Sequence, residues 1–340
     1  MRRYGIPANV ENVLITSGSQ QALDLIGKIM INPGDLILTE RPTYLGALQA
    51  WRAYQADFVI TPLDDDGIRC DHELEQALSA GPKFMYILPN FHNPAGVTLS
   101  LDRRRRLVEI AEHYGIPIIE DDPYGQLRFE GQHLPPLLVL DSQRLRETGN
   151  PQNNNGYFRS GNVIYLSTIS KTLAPGLRLG WVVAPQDVIQ RCIMAKQGMD
   201  LHTSSFVQMV TYEVVRDGFL DAHVRKIREV YRERRDFMLD MMSTHFPPEV
   251  RWTYPQGGLF LWVTLPEQLD ATEPLKEAIQ QRVAYVPGTA FFPQAGGHHS
   301  LRVNFSNASL QMIETGIQRL GVVFRDALQS SERKELVQAL

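Results

Sequence analysis

The feature that most constrains the fold of this 340-residue chain is the alternation of short β-rich runs with helix-length stretches. Candidate strands fall at residues 13–15, 36–39, 58–60, 84–88, 116–120, 163–166 and 181–184. Strands joined through helices pair in parallel and are covered on both faces. The pattern therefore predicts an α/β domain with a mostly parallel seven-stranded sheet between helices. One connecting helix is well marked. Ser100 or Asp102 can cap its start, Leu107, Val108, Ile110 and Ala111 give it an apolar face, and Gly115 and Pro117 follow its end.

From about Asp221 the pattern changes. Val224, Ile227, Tyr231, Met238 and Met241 recur at helical spacing through a heavily charged stretch, which predicts one long amphipathic helix. Strand-like runs at 259–264, 283–286 and 301–305 and a last helix over 310–328 follow. This predicts a smaller C-terminal α+β domain over residues 216–340 after a large domain over 1–215. Residues 141–162 include Asn150-Pro151-Gln152-Asn153-Asn154-Asn155-Gly156, carry turn formers without periodicity, and read as an exposed, mobile loop.

Composition excludes more than it selects. With 43% hydrophobic and 21% charged residues the chain has enough apolar material for two cores, and a formal net charge of −4 gives no electrostatic reason to expect nucleic acid. Cys70 and Cys192 are the only cysteines, which argues against a disulfide scaffold or a cysteine-based metal site. No apolar run approaches the roughly 20 residues that span a bilayer. The first residues lack the apolar stretch of a secretion signal, so the expectation is a cytoplasmic protein with no membrane partner.

The chemistry centres on Ser167-Thr168-Ile169-Ser170-Lys171, which follows the sixth strand, with Arg178 seven residues beyond the lysine. A desolvated lysine beside another cation loses its proton readily and can attack a carbonyl to form a Schiff base. The hydroxyls of Thr168 and Ser170 with the Arg178 guanidinium suit a phosphate on that carbonyl compound. A phosphate-bearing aldehyde held by lysine is pyridoxal 5′-phosphate; a solvated loop lysine is the plainer alternative. Thr16-Ser17-Gly18-Ser19-Gln20-Gln21 opens a helix, either as an anion site of free N–H groups or as a simple cap by Ser19. Asn93, in Asn90-Phe91-His92-Asn93-Pro94-Ala95-Gly96, and the acids of Glu120-Asp121-Asp122-Pro123-Tyr124 follow the carboxyl ends of strands, where open α/β sheets bind ligands. Each could equally be an ordinary turn.

With Tyr44 and Leu301-Arg302-Val303-Asn304-Phe305, these motifs resemble, in order and spacing, the fold-type I pyridoxal-phosphate-dependent aminotransferases of class I/II. The subgroup most resembled holds 2-aminoadipate and kynurenine aminotransferases and the aminotransferase-like domain of MocR-type regulators, and the resemblance runs from about Val10 to Val323. It implies that Lys171 forms the Schiff base and shuttles a proton, and that Asp121, three residues before Tyr124, pairs with the pyridine nitrogen. It further implies that Asn93 and Tyr124 hydrogen-bond the cofactor's phenolic oxygen and that Tyr44 stacks on the ring. Ser19, Gln20, Thr168, Ser170 and Arg178 would hold the phosphate, with Thr168 standing where relatives commonly have serine. Arg302, with Asn93 beside it, would bind the substrate carboxylate.

The implied activity is transfer of an amino group from an L-amino acid to a 2-oxo acid, 2-oxoglutarate in the first instance, by a homodimer. The alternatives are a cofactor-binding sensor of MocR type and another fold-type I enzyme, a lyase or decarboxylase. Relatives carry a further N-terminal segment, whereas here the Ser-Gly-Ser-Gln loop arrives by residue 17. Other stretches read as ordinary. Arg103–Arg106 suits a solvated helix face, His298-His299 lacks the spacing of a metal site, and Ser17-Gly18-Ser19 does not match Gly-x-Ser-x-Gly. No metal is expected.

Overall fold

The computed structural model describes residues 5–6, 8–148 and 161–338. In chain order its elements are β1 (Val13–Thr16), α1 (Ser19–Met30), β2 (Leu36–Arg41), α2 (Leu45–Arg52), β3 (Asp57–Asp64), β4 (Gly67–Ile68), α3 (His72–Ser79), β5 (Met85–Ile87), α4 (Leu101–Tyr114), β6 (Ile118–Asp121), α5 (Leu137–Thr148) and β7 (Val163–Thr168). There follow β8 (Gly180–Val183), α6 (Gln186–Asp200), α7 (Ser205–Val215), α8 (Phe219–His245), β9 (Arg251–Trp252), β10 (Phe260–Thr264), α9 (Pro274–Gln280), β11 (Val286–Pro287), β12 (Ser300–Asn304) and α10 (Leu310–Gln338).

The first eight strands form one sheet in the order β1-β8-β7-β6-β5-β2-β3-β4. The pairings from β7 to β3 are parallel, while β8 runs antiparallel to both neighbours and β4 antiparallel to β3. All seven expected strands are present, and the sheet gains an eighth. The addition, β4, is a two-residue return of β3 through Asp65 and Asp66, too short to leave a periodic signal.

Successive residues of the central strands point to opposite faces, as a period of two requires. Met85, Ile87, Ile118, Val163 and Tyr165 enter one core, with α4 and α5; Tyr86, Ile119, Ile164 and Leu166 enter the other, with α1, α2 and α6. Each fully buried aliphatic contributes roughly 1.5–3 kcal/mol. Gly115 ends α4 in the left-handed conformation at φ 65°, its N–H reaching the Ala111 and Glu112 carbonyls. Ser100 is the N-cap of α4, though its side chain makes no capping bond.

The second sheet, β11-β12-β10-β9, is antiparallel and packs on α8 and α10 around Met242, Leu261, Leu301 and Phe324. The long helix and two of its strands match expectation. The run at 283–286 forms only the two-residue β11, β9 was not expected, and the last helix continues ten residues past 328 to Gln338.

Two sequence expectations are corrected. Residues 141–148 are helical, not loop, because Leu137, Leu138, Val139 and Leu140 anchor α5 in the core and its first N–H groups are capped at a distance. The buried Glu120 carboxylate accepts from the backbone of Leu137 and Leu138 at 2.8 and 2.9 Å. Asp141 is buried as well, accepting from the N–H groups of Gly161 and Asn162. The rest of that expected loop, 149–160, lies outside the described residues. The second correction concerns the four arginines of α4, which are not a uniformly solvated face. Arg104 is fully buried and bonds the carbonyls of Leu99, Pro135 and Pro89 and the Asn90 amide oxygen; Arg103 forks onto Asp64. Among the described residues no helix is long and apolar enough to cross a membrane.

Candidate active site

The singled-out residues converge at the carboxyl edge of the large sheet. β2 runs into Tyr44, β5 into Asn93, β6 ends on Asp121 and leads to Tyr124, and β7 runs into Ser170 and Lys171. The register brings in the remaining loop. Gly180 of β8 is opposite Thr16 on one side and Thr168 on the other, so the start of α1 lies across from the lysine turn. Glycine is required at 180, because a Cβ there would stand 2.7–2.9 Å from the Gly18 carbon, the Ser19 nitrogen and the Ser167 oxygen.

At one end of the site, Gly18 is the N-cap of α1 and Ser19 its first helical residue, which corrects the reading of Ser19 as the cap. Gly18 has φ +85°, and a Cβ on it would lie 2.5 Å from Arg178 Nη2. The guanidinium thus lies over a helix N-terminus whose first N–H groups have no intrahelical partner. Arg178 Nη1 also reaches Ser170 Oγ at 3.5 Å. Positive end, guanidinium and hydroxyl together are groups that could hold an anion. Two expected contributors face elsewhere. Thr168 Oγ1 donates to the Leu179 carbonyl at 2.6 Å and accepts from Ser170 N–H, so it shapes the turn. The Gln20 side-chain amide donates to the Gly46 carbonyl at 2.7 Å and leaves the backbone N–H as its available group.

In the middle, Asp121 is buried. Its Oδ2 accepts from the Tyr86 hydroxyl at 2.8 Å, whereas Oδ1 is buried with no hydrogen-bond partner among the described residues. Burial pushes this carboxyl up to about 7; the Tyr86 bond opposes the rise and the Asp122 charge adds to it. A buried carboxylate oxygen without a donor costs on the order of 1–3 kcal/mol and invites a cationic N–H. The neighbouring Asp122 is satisfied by Asn90, Gly125 N–H and Tyr165, so the unpartnered oxygen distinguishes Asp121 within the acidic triplet.

Lys171 lies in the turn after β7, and burial lowers its amine pKa, aided by the positive charges of Arg178 and Arg302. Among the described residues no carboxylate pairs with it. At the other end, Arg302 of β12 donates to Asn93 Oδ1 at 2.7 Å, and the Asn93 amide points to the Tyr124 hydroxyl at 3.4 Å. The guanidinium is stacked against Phe260 and Phe291, with Cζ 4.1 and 4.9 Å from the ring centroids, and this burial lowers its pKa. Tyr44 is half-buried, its ring folded over Gly46, and its hydroxyl pKa is raised by burial and by the charge of Asp121. Tyr124 is buried and held protonated by desolvation, with Tyr44 and Asp121 close enough to add to the effect.

Sequence reasoning missed Tyr86 and Phe260, which lie inside the strand-like runs 84–88 and 259–264, and Phe291, which lies outside every expected element. It also missed the buried pair Glu40–His92, whose carboxylate and ring nitrogen lie 3.3 Å apart. Glu40 also accepts from Leu88 N–H and His92 from Ala95 N–H, which ties the loop carrying Asn93 to β2.

A pyridine bearing a phosphate and an aldehyde fits this arrangement: an orphaned acid oxygen for its ring N–H, a cationic cradle for its phosphate and a neutralisable lysine between them. Comparison with known proteins agrees. The family model "Aminotransferase class I and II" matches residues 1–320. Aromatic-amino-acid aminotransferase 1 of Thermococcus litoralis is 43% identical over 331 residues, 96% of this chain and 75% of that protein. The multiple substrate aminotransferase of Thermococcus profundus superposes with a TM-score of 0.87 at 42% identity, over 97% of this chain and 79% of that one. LysN of Thermus thermophilus, an alpha-aminoadipate aminotransferase solved with N-(5'-phosphopyridoxyl)-L-leucine, gives 0.86 at 39% identity, over 94% and 78%.

Proposed function

The chain belongs to the aminotransferase class I and II family and is a pyridoxal-phosphate-dependent aminotransferase; from that premise we propose that Lys171 holds the cofactor's aldehyde carbon covalently through Nζ and that 2-oxoglutarate is the amino acceptor. When bound, pyridoxal 5′-phosphate supplies an electron sink that acidifies the Cα–H of an attached amino acid.

The rest is the work of this chain's own side chains. Asp121 Oδ1 would accept the ring N–H and, as an anion, keep that proton in place. Arg178, Ser170 and the first N–H groups of α1, at Ser19 and Gln20, would hold the phosphate, with Thr168 shaping their turn. Tyr44 would cover the ring, and Asn93 and Tyr124 would donate to its phenolic oxygen. Arg302 would take the substrate carboxylate through two parallel N–H bonds, pre-oriented by the two flanking rings and Asn93. Once the substrate's amine has displaced it, the Lys171 amine, neutral in a larger fraction than an exposed lysine, would accept a proton from Cα and return it one carbon away. The observation that carries the reading is the buried, unpartnered Asp121 Oδ1 in the same site as this desolvated lysine.

Reduction of the loaded protein with borohydride, followed by peptide mapping, tests it. The phosphopyridoxyl mass is expected on Lys171, and a label on any other lysine overturns the assignment. In separate, unreduced loaded protein, single amino acids should convert the bound cofactor to its amine form, and 2-oxoglutarate should restore it. Restoration only by other 2-oxo acids would replace the proposed acceptor.

Two further parts of the proposal are structural. A division near residue 215 separates the unit built on the large sheet from the unit built on the small one, between α7 and α8. A homodimer is supported by the apolar surface of Leu201, Phe206, Met209 and Tyr212 on and before α7, all more than half exposed. Sedimentation of the purified protein as a monomer would remove the second part.

A further inference from the structure

The phosphate end of the site rests on a buried lysine that the reaction does not use. Lys196 of α6 is almost wholly buried, and an ammonium in that position costs several kcal/mol unless charge and hydrogen bonds replace its water. Its Nζ donates to both carboxylate oxygens of Asp200 at 2.7 Å and to Gln21 Oε1 at 2.8 Å. Gln21 Nε2 donates to Asp200 Oδ2 at 2.7 Å, and Gln21 Oε1 also accepts the Ser17 backbone N–H at 2.7 Å. The Ser17 hydroxyl completes the group, 3.2 Å from Asp200 Oδ2.

A solvated lysine–aspartate pair one helical turn apart contributes only a few tenths of a kcal/mol. This pair differs in that its lysine is buried while Asp200 stays exposed, and in reaching out of its own helix. It fixes the orientation of the Gln21 amide, since the oxygen faces two donors and the nitrogen faces a carboxylate. Gln21 in turn fixes Ser17, the residue immediately before the Gly18 cap, whose own carbonyl lies 3.5 Å from Arg178 Nη2. The charges matter as well. An unpaired Asp200 beside this loop would repel a dianion, and Lys196 cancels it.

We propose that Lys196, acting with Asp200 and Gln21, is a positioning residue for the phosphate of the cofactor: the buried ammonium and the groups it holds set the Ser17–Gly18 backbone so that the N–H groups of α1 and Arg178 converge on one anion. The inference rests on the phosphate lying against Ser19, Ser170 and Arg178.

The test uses apoprotein titrated with pyridoxal 5′-phosphate and, separately, with pyridoxal, which lacks the phosphate. Lys196→Met and Gln21→Leu are each expected to raise the dissociation constant for pyridoxal phosphate about tenfold or more while leaving that for pyridoxal within about twofold of the parent. Gln21→Leu leaves the Lys196–Asp200 pair in place, so it decides the matter if Lys196→Met does not fold. Equal weakening toward both ligands would mark a general loosening and overturn the proposal, as would unchanged binding of pyridoxal phosphate. Arg178→Met is the benchmark. Without a phosphate-selective loss there, the placement of the phosphate itself fails. A selective loss there with none at Gln21 or Lys196 defeats only the positioning role.

Discussion

Replacing Asp121 with asparagine is expected to move the stability of the cofactor-free protein and its catalysis in opposite directions. The carboxyl is raised by burial from 3.8 to about 7. An acid whose folded-state pKa is raised binds its proton more tightly folded than unfolded. Its contribution is complete below about 3.8 and is lost as pH rises through about 7. That interval of roughly three units, at 1.36 kcal/mol per unit, caps the loss at about 4 kcal/mol. Asparagine has the same shape, keeps an acceptor for the Tyr86 hydroxyl and carries no charge. Denaturant unfolding of the two apoproteins should show the variant's advantage growing by roughly 2–3 kcal/mol between about pH 5 and about pH 8. Glu120, which burial pushes up to about 8, titrates in both proteins and drops out of the difference. In the loaded enzyme the same change removes the anion proposed to face the ring nitrogen, and the amino-transfer half-reaction should slow by about two to three orders of magnitude. A stability difference that does not vary with pH would refute the reasoning, because it would mean that Asp121 is not a desolvated carboxyl.

Arg302→Lys keeps the charge but loses the planar fork between Phe260 and Phe291. With a charged hydrogen bond at about 1.5–3 kcal/mol, kcat/KM for the amino acid should fall about 10–100-fold while the visible spectrum of the bound cofactor is unchanged; unaltered kinetics would dismiss the carboxylate role. Gly18→Ala places a Cβ at 2.5 Å from Arg178 Nη2 and forces a left-handed residue. It should cost about 1–2 kcal/mol in apoprotein stability and weaken cofactor binding, both read by titration and melting; a variant equal to its parent would show that the loop relaxes freely.

What could be read in advance followed from how strongly each residue is tied to local sequence. The central strands were legible because Val163, Ile164 and Leu166 are buried on both faces and leave an unbroken apolar run. Lys171, Asp121 and Asn93 were legible because they sit directly beyond such runs. The two-residue β4 and β9 had too little length to show a period. Arg104 carried no mark of burial, since its partners are carbonyls brought in from Pro89 and Pro135, and only tertiary structure puts them there. Tyr86 was hidden for the opposite reason, an aromatic in an apolar strand whose hydroxyl finds Asp121 only across the sheet. Lys196 and Gln21 looked like ordinary polar residues of two helices. Their meaning lies in a contact between elements far apart in the chain.

The position of β1 has a consequence for how the protein is made. In the sheet order it stands at one edge, with β8 as its neighbour, and every other strand of that sheet is synthesised between the two. A nascent chain that has already emitted the Ser17–Gln20 loop must therefore wait for Gly180 before that loop meets Arg178 and the lysine turn. Contacts so distant in sequence form late. The proposed cradle for the cofactor's phosphate is then among the last parts of the large sheet to assemble, and capture of the cofactor there would report that the sheet has been completed.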